Sequence, residues 1–205
     1  MNNIFKLTVL CRFLLLLFGS LIMGLGVSLS ISTGFGSDAL SWVWQGISLH
    51  TNMTLNQSNM FITLLMLIPP LLYDRTQLGI GSILQPYIVG ATAEYILNKG
   101  LENPNNFLLL IVGILLLGIG AGIYTSANLG KVPYDACVFW LSKVTKGSIG
   151  LIRSLGDLTL FIIAWTLNQH LIIGPFISVF LIGYILNITY NSINRFILKK
   201  ISKSS

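Results

Sequence analysis

Two glycine-containing stretches end on an aspartate followed by alanine: Thr33-Gly34-Phe35-Gly36-Ser37-Asp38-Ala39 and Gly130-Lys131-Val132-Pro133-Tyr134-Asp135-Ala136. Glycine lets the backbone turn sharply. Proline suits the first helical turn, where its missing N–H costs nothing. Serine and aspartate oxygens accept the free N–H groups of a helix start. Both stretches therefore predict helix N-termini, with carboxylates complementing the helix dipole. A second chemistry is open to them at membrane depth. Irregular backbone is tolerated there only where it is buried in protein or lines a cavity. Paired short helices whose N-termini face one cavity mark transporter-type sites. Backbone N–H groups around Gly36 and Ser37 would then hold an anion, and Asp38 and Asp135 a cation or proton.

Arg153 and Asp157 stand four residues apart in an otherwise apolar segment. That spacing puts them on one helix face, where pairing lowers the cost of each charge in lipid. The competing reading has Arg153 snorkelling at the interface. Asn128, just before the second glycine loop, is a candidate cavity-lining residue. The candidate substrate-binding set is thus Asp38, Asp135, Ser37, Gly36, Asn128, Arg153 and Asp157. Glu94 and the Asp74-Arg75 pair read as interfacial or loop residues, and Gln85 and Asn187 as interhelical hydrogen-bonding groups. Gly113, Gly118, Gly120 and Gly122 imply close helix packing and not a phosphate loop, because no strand precedes them.

Catalytic patterns are weak. His50 and His170 are isolated, and no H-E-x-x-H occurs. Gly36-Ser37 lacks the far-side glycine of a nucleophile elbow, because Asp38 stands there. Cys11 and Cys137 form no C-x-x-C pair, so neither a disulfide framework nor a zinc site is expected. The chain is read as a non-enzyme with no cofactor and no metal.

The elements that position these residues follow from composition. Of 205 residues, 54% are hydrophobic and 9% charged, against about 25% charged in a soluble domain. Mean hydropathy is +0.81. These values exclude a soluble enzyme, a disordered tail and a disulfide-stapled secreted module. The net charge of +6 is better explained by basic residues flanking membrane segments than by nucleic-acid binding. The apolar run near the N-terminus reaches about Ile31, too long for a signal-peptide core, and is read as a retained first helix.

Eight helical segments are predicted, at about 7–32, 37–50, 58–73, 79–97, 107–128, 133–145, 149–167 and 171–197. Six are near spanning length. The segments 37–50 and 133–145 reach roughly 20 Å against roughly 30 Å of hydrocarbon, so they are half-helices, re-entrant segments or short tilted crossings. Gly24-Leu-Gly26 to Ser30 matches Gly120-Ala-Gly122 to Ser126, with Gly34 matching Gly130 at the same shift of 96. Asp38-Ala39 matches Asp135-Ala136 at a shift of 97, and Leu78 to Gly81 matches Leu171 to Gly174 at 93, with Gly90 matching Gly183. The fold expected is all-α: one polytopic transmembrane bundle of two homologous repeats, 7–97 and 107–197. A polar connection lies at 98–106 and a basic tail at 198–205. With six crossings the halves are inverted, and all 12 basic residues but Lys99 lie inside. With eight crossings the halves are parallel, Arg75 and Lys131 move outside, and Lys99 moves inside. Both obey the positive-inside rule and both put the termini in the cytoplasm.

At Gly34 to Leu40, Asn128 to Ala136, Ile80-Gly81 and Ile173-Gly174-Pro175, the sequence resembles the YczE/YyaS/YitT family of bacterial integral membrane proteins, and most closely its YczE-like branch. The resemblance spans nearly the whole chain and implies a bacterial plasma-membrane protein, with no activity or functional residues carried over. The function expected from the residues is a small secondary transporter or permease with a central site between the repeats. The alternative is a non-transporting regulator or scaffold for a membrane or cytoplasmic partner protein. The partners expected are the lipid bilayer and an unknown small solute or ion, and not nucleic acid.

Overall fold

A computed structural model describes residues 2–168 and 172–202, with side chains described over residues 9–168 and 172–195. His170 and the Leu171 position of the third repeated block lie outside the described residues. Eight α-helices follow in order among the described residues. They are α1 (Asn2–Ser32), α2 (Ala39–His50), α3 (Leu55–Tyr73), α4 (Gly81–Leu97), α5 (Phe107–Ala127), α6 (Pro133–Thr145), α7 (Ile149–Asn168) and α8 (Gly174–Ser202). A short 3-10 turn, Arg75–Gln77, joins α3 to α4.

The centre of the bundle is the contact of α1 with α5, built on glycine. A Cβ added to Gly19 would lie 2.8 Å from the Gly120 carbonyl oxygen, and one added to Gly26 would lie 2.5 Å from that of Gly113. The lower number on one helix meets the higher number on the other, so the two helices run antiparallel. Without side chains the backbones approach closely enough for dispersion to hold them, which matters where lipid removes the hydrophobic drive between helices. This is the close packing expected of the α5 glycines. Gly118 and Gly122 face α8, at Ile185 and Thr189.

Direction is fixed for the flanking helices too. Gly24 sits on Val89 and Thr92, and Gly81 near Leu16, so α4 runs parallel to α1. Gly118 with Ile185 and Gly122 with Thr189 make α8 parallel to α5. One end of the bundle therefore gathers the end of α1 and the start of α5, where the Asn103 N–H donates to the Ser32 carbonyl at 3.0 Å. The start of α3 and the end of α4 join them there, through the Asn56 N–H to Glu94 Oε2 at 2.8 Å. The opposite end gathers the 74–80 and 128–132 connections, where Gly81 N–H donates to Leu129 O at 2.9 Å. We call these the Ser32 end and the Asp74 end.

The two short helices do not travel from end to end. α2 follows the second half of α7: the Trp42 and Phe161 rings meet at 5.2 Å, and Asn168 Nδ2 donates to the Trp42 carbonyl at 3.0 Å. It finishes at the Ser32 end, where His50 Nε2 contacts Leu167 O. α6 starts beside the middle of α7 and finishes at the Asp74 end, where Tyr73 stacks on Trp140 and Lys143 pairs with Asp74. Each short helix returns to the end from which its connection entered. Among the described residues five helices are long and apolar enough to cross a membrane, and the 17-residue α4 runs alongside α1. This is the arrangement of six long helices and two half-helices.

Candidate functional site

The half-helices start where the chain turns hardest. Gly36 has φ +73°, and a Cβ there would strike Ile172. Gly130 has φ +116°, and a Cβ there would lie 2.6 Å from the Gly79 nitrogen. Both positions therefore need glycine. Asp38 is the N-cap residue of α2, and its N–H donates to Ser41 Oγ at 3.1 Å. Pro133 opens α6 and puts Asp135 in its first turn.

The two starts meet on a cavity of about 170 Å³ to which all eight helices contribute wall residues. Its charged wall is Asp38, Asp135, Arg153 and Asp157. Uncharged polar groups come from Asn59 and Thr63 of α3, Gln85 of α4, Thr125 of α5, Tyr134 of α6 and Ser178 of α8. The remainder is mainly apolar, with Met23, Val27, Val89 and Leu117 among it.

Four of the expected residues are thus brought together, and their pairing corrects the sequence reading. Arg153 does not pair with Asp157 one turn on. Its Nη1 donates to Asp135 Oδ1 at 2.8 Å, while Asp157 Oδ1 accepts from the Tyr134 hydroxyl at 2.5 Å. The reason is the docking of α6: its first turn inserts an acid and a phenol against the α7 face that carries both charges. The Tyr134 oxygen also lies 3.1 Å from the Arg153 carbonyl oxygen, so its one proton is shared between that carbonyl and Asp157. Tyr134 was quoted only as part of the glycine–aspartate motif; its role depends on a contact between helices that spacing does not encode.

Three expected residues do not line the cavity. Asn128 adopts left-handed backbone (φ 50°) as the C-cap of α5, a position asparagine tolerates well. Gly36 serves the turn. Ser37 is fully buried, and its hydroxyl has no hydrogen-bond partner among the described residues. Glu94 is not merely interfacial, since it caps the N-terminus of α3. Gln85 makes its interhelical contact through Nε2 to Met23 Sδ at 3.6 Å, whereas Asn187 is exposed on α8.

The cavity walls differ between the halves. α3 is held on α4 by Asn59 Nδ2 donating to Pro86 O at 2.7 Å, and Gly90 packs on Asn56 and Asn59. Among the described residues α7 and α8 touch only sparsely, with Phe161 and Phe176 edge to face at 4.7 Å near the Ser32 end. Gly183, the sequence match of Gly90, has nothing within 4 Å of an added Cβ among the described residues. The cavity is therefore closed along α3–α4 and open along α7–α8.

A bundle of apolar helices closing over a charged interior cavity defines the class: a multi-pass membrane protein. The chain belongs to DUF6198, a family of unknown function whose pattern matches residues 10–191. It is similar to the "Uncharacterized membrane protein YczE" of Bacillus subtilis, 26% identical over 82% of this chain and 80% of the relative. It is also similar to "Uncharacterized protein YyaS" of the same organism, 24% identical over 89% of this chain and 94% of the relative. An "Uncharacterized protein" of Haemophilus influenzae is 28% identical over 88% of this chain and 84% of the relative. No solved structure matches the chain.

Proposed function

We propose that the protein is a small secondary transporter of the bacterial plasma membrane that binds a solute in the central cavity and exposes it to each side in turn. The observation that carries this reading is the meeting of two half-helix N-termini, from opposite ends of the bundle, on one charged cavity. That is the arrangement in which discontinuous helices bind substrates near the bilayer midplane. Two inverted repeats are supported by the antiparallel α1–α5 contact, and by parallel α1–α4 matched to parallel α5–α8.

The Asp74 end carries Arg75, Lys131, Lys143 and Lys146, and α1 begins and α8 finishes there, so the positive-inside rule makes it cytoplasmic. The open α7–α8 and closed α3–α4 walls then correspond to an inward-facing state. Rocking of one half against the other would exchange the two walls. The chain's role in this reading is binding and passage of solute, with no catalytic step.

The test is complementation. A strain lacking the gene is compared with wild type by unbiased metabolite profiling, and re-supplied with the Asp38→Asn plus Asp135→Asn variant. The variant is expected to insert in the membrane yet leave the profile uncorrected. Full correction would instead support the scaffold role, for which the cavity carboxylates are dispensable.

A further inference from the structure

We propose that the solute is a small monovalent organic ammonium, with Asp38 as its counter-charge; this rests on the central-cavity reading above. The cavity wall holds three carboxylates and one guanidinium. The N-termini of α2 and α6 each add about half a positive charge. With all groups ionised the wall is left with about one negative charge to neutralise. Two of the carboxylates are engaged: Asp135 by Arg153 and Asp157 by the Tyr134 hydroxyl. Among the described residues the Asp38 carboxylate accepts only from its own first turn, at the Ser41 backbone N–H, while the Ser41 hydroxyl donates to the Asp38 backbone carbonyl.

The wall's polar atoms point the same way. Gln85 is 4% exposed and Trp44 3% exposed, both line the cavity, and Gln85 Oε1 and Trp44 Nε1 have no hydrogen-bond partner among the described residues. A buried polar atom left unpaired costs about 1–3 kcal/mol, a cost that side-chain rotation toward a ligand N–H would relieve. Gln85 Oε1 can only accept, which suits an ammonium N–H.

Competing solute classes fit less well. A simple anion would meet the helix N-termini already flanked by Asp38 and Asp135. A bare metal ion wants about six oxygen ligands if it is hard, and no group of three or more His, Cys, Asp or Glu is placed to hold a metal among the described residues. Met23, Val27, Val89 and Leu117 supply apolar wall that an alkyl chain covers and a hydrated ion does not. The volume of about 170 Å³ is comparable with a cavity of roughly 150 Å³ that admits a benzene ring, enough for an amine of four or five heavy atoms.

The experiment uses the full chain, purified in lipid-free detergent, and a probe series that varies only in charge. Binding of n-butylammonium, n-butanol and n-butyrate is measured by titration calorimetry, with sodium chloride as a further arm. The expected result is saturable n-butylammonium binding that Asp38→Asn weakens by about tenfold or more, with much weaker binding of the other probes. Gln85→Leu, which keeps shape and removes the acceptor, is expected to weaken it less. Overturning results are no saturable n-butylammonium binding, equal or tighter binding of n-butyrate, competition by sodium at equal concentration, or an unchanged affinity in Asp38→Asn. Binding in detergent needs no transport. Saturable, Asp38-dependent binding with no flux in proteoliposomes would sustain the ligand class and defeat the transporter reading.

Discussion

Arg153 of α7 reaches across to Asp135 of α6 at 2.8 Å, passing over Asp157, its neighbour one turn along the same helix. The pair fixes the first turn of the half-helix α6 against the middle of α7. Arg153 is 46% exposed and Asp135 28%, so the pair is neither a surface bridge nor a buried one. Its coupling is expected between those limits, at about 1–3 kcal/mol. A double-mutant cycle with Arg153→Gln and Asp135→Asn, read by thermal unfolding in detergent, measures it. Coupling indistinguishable from zero would show that α6 is held by other contacts.

The central glycines and the open-seam glycine respond oppositely to substitution. Gly120→Val forces side-chain atoms into the Gly19 carbonyl and the Met23 backbone, so loss exceeds the ordinary overpacking cost of about 1–3 kcal/mol. Gly183→Ala meets nothing within 4 Å among the described residues and raises stability by up to about 1 kcal/mol. Detergent-solubilised yield and melting temperature check both. Equal tolerance at the two positions would contradict the α1–α5 contact.

Asn59 and Glu94 hold the closed α3–α4 wall. Asn59→Leu with Glu94→Gln is expected to loosen it toward the Ser32 end. In a chain with Cys11 and Cys137 replaced, a cysteine at Val27, which is 2% exposed, then reacts several-fold faster with an impermeant thiol reagent applied outside. An unchanged rate would mean that these bonds do not close the wall.

Lys143 and Thr76 hold the Asp74 carboxyl below its ordinary value of 3.8. A carboxyl lowered on folding stabilises the folded state fully above its unfolded pKa and ceases to do so as pH falls through the folded one. The wild-type advantage over Asp74→Asn should therefore be present at neutral pH and fade below 3.8. Lys143 is 58% exposed while Asp74 is 11% exposed, so solvent screens the pair from one side and the advantage is modest. An advantage that grows on acidification would contradict the assignment.

The helices were largely legible because lipid demands long apolar runs, and glycine, proline and polar clusters interrupt them. Thr54 extends α3 three residues beyond the expected start at 58, through a reciprocal cap with Gln57. A Thr-x-x-Gln pattern carries that signal. Asp38, Asp135, Arg153 and Asp157 stood out because charge is scarce in this chain. Their partners did not, since the Arg153–Asp135 pairing depends on how α6 docks on α7. Asn59 and Thr63, polar at one-turn spacing in an apolar helix, carried a readable signal for a cavity-facing stripe. Asn128 misled because its backbone conformation, not its side chain, is what the position needs.

Alternating exposure of the cavity is tested most directly at Ala121, on the wall between α1 and α8. With Cys11 and Cys137 replaced, a cysteine at Ala121 is challenged with an impermeant thiol reagent in right-side-out and in inside-out vesicles. A cavity that opens to each side in turn predicts labelling in both, faster in inside-out vesicles, with n-butylammonium slowing each. Labelling confined to one vesicle orientation would contradict it.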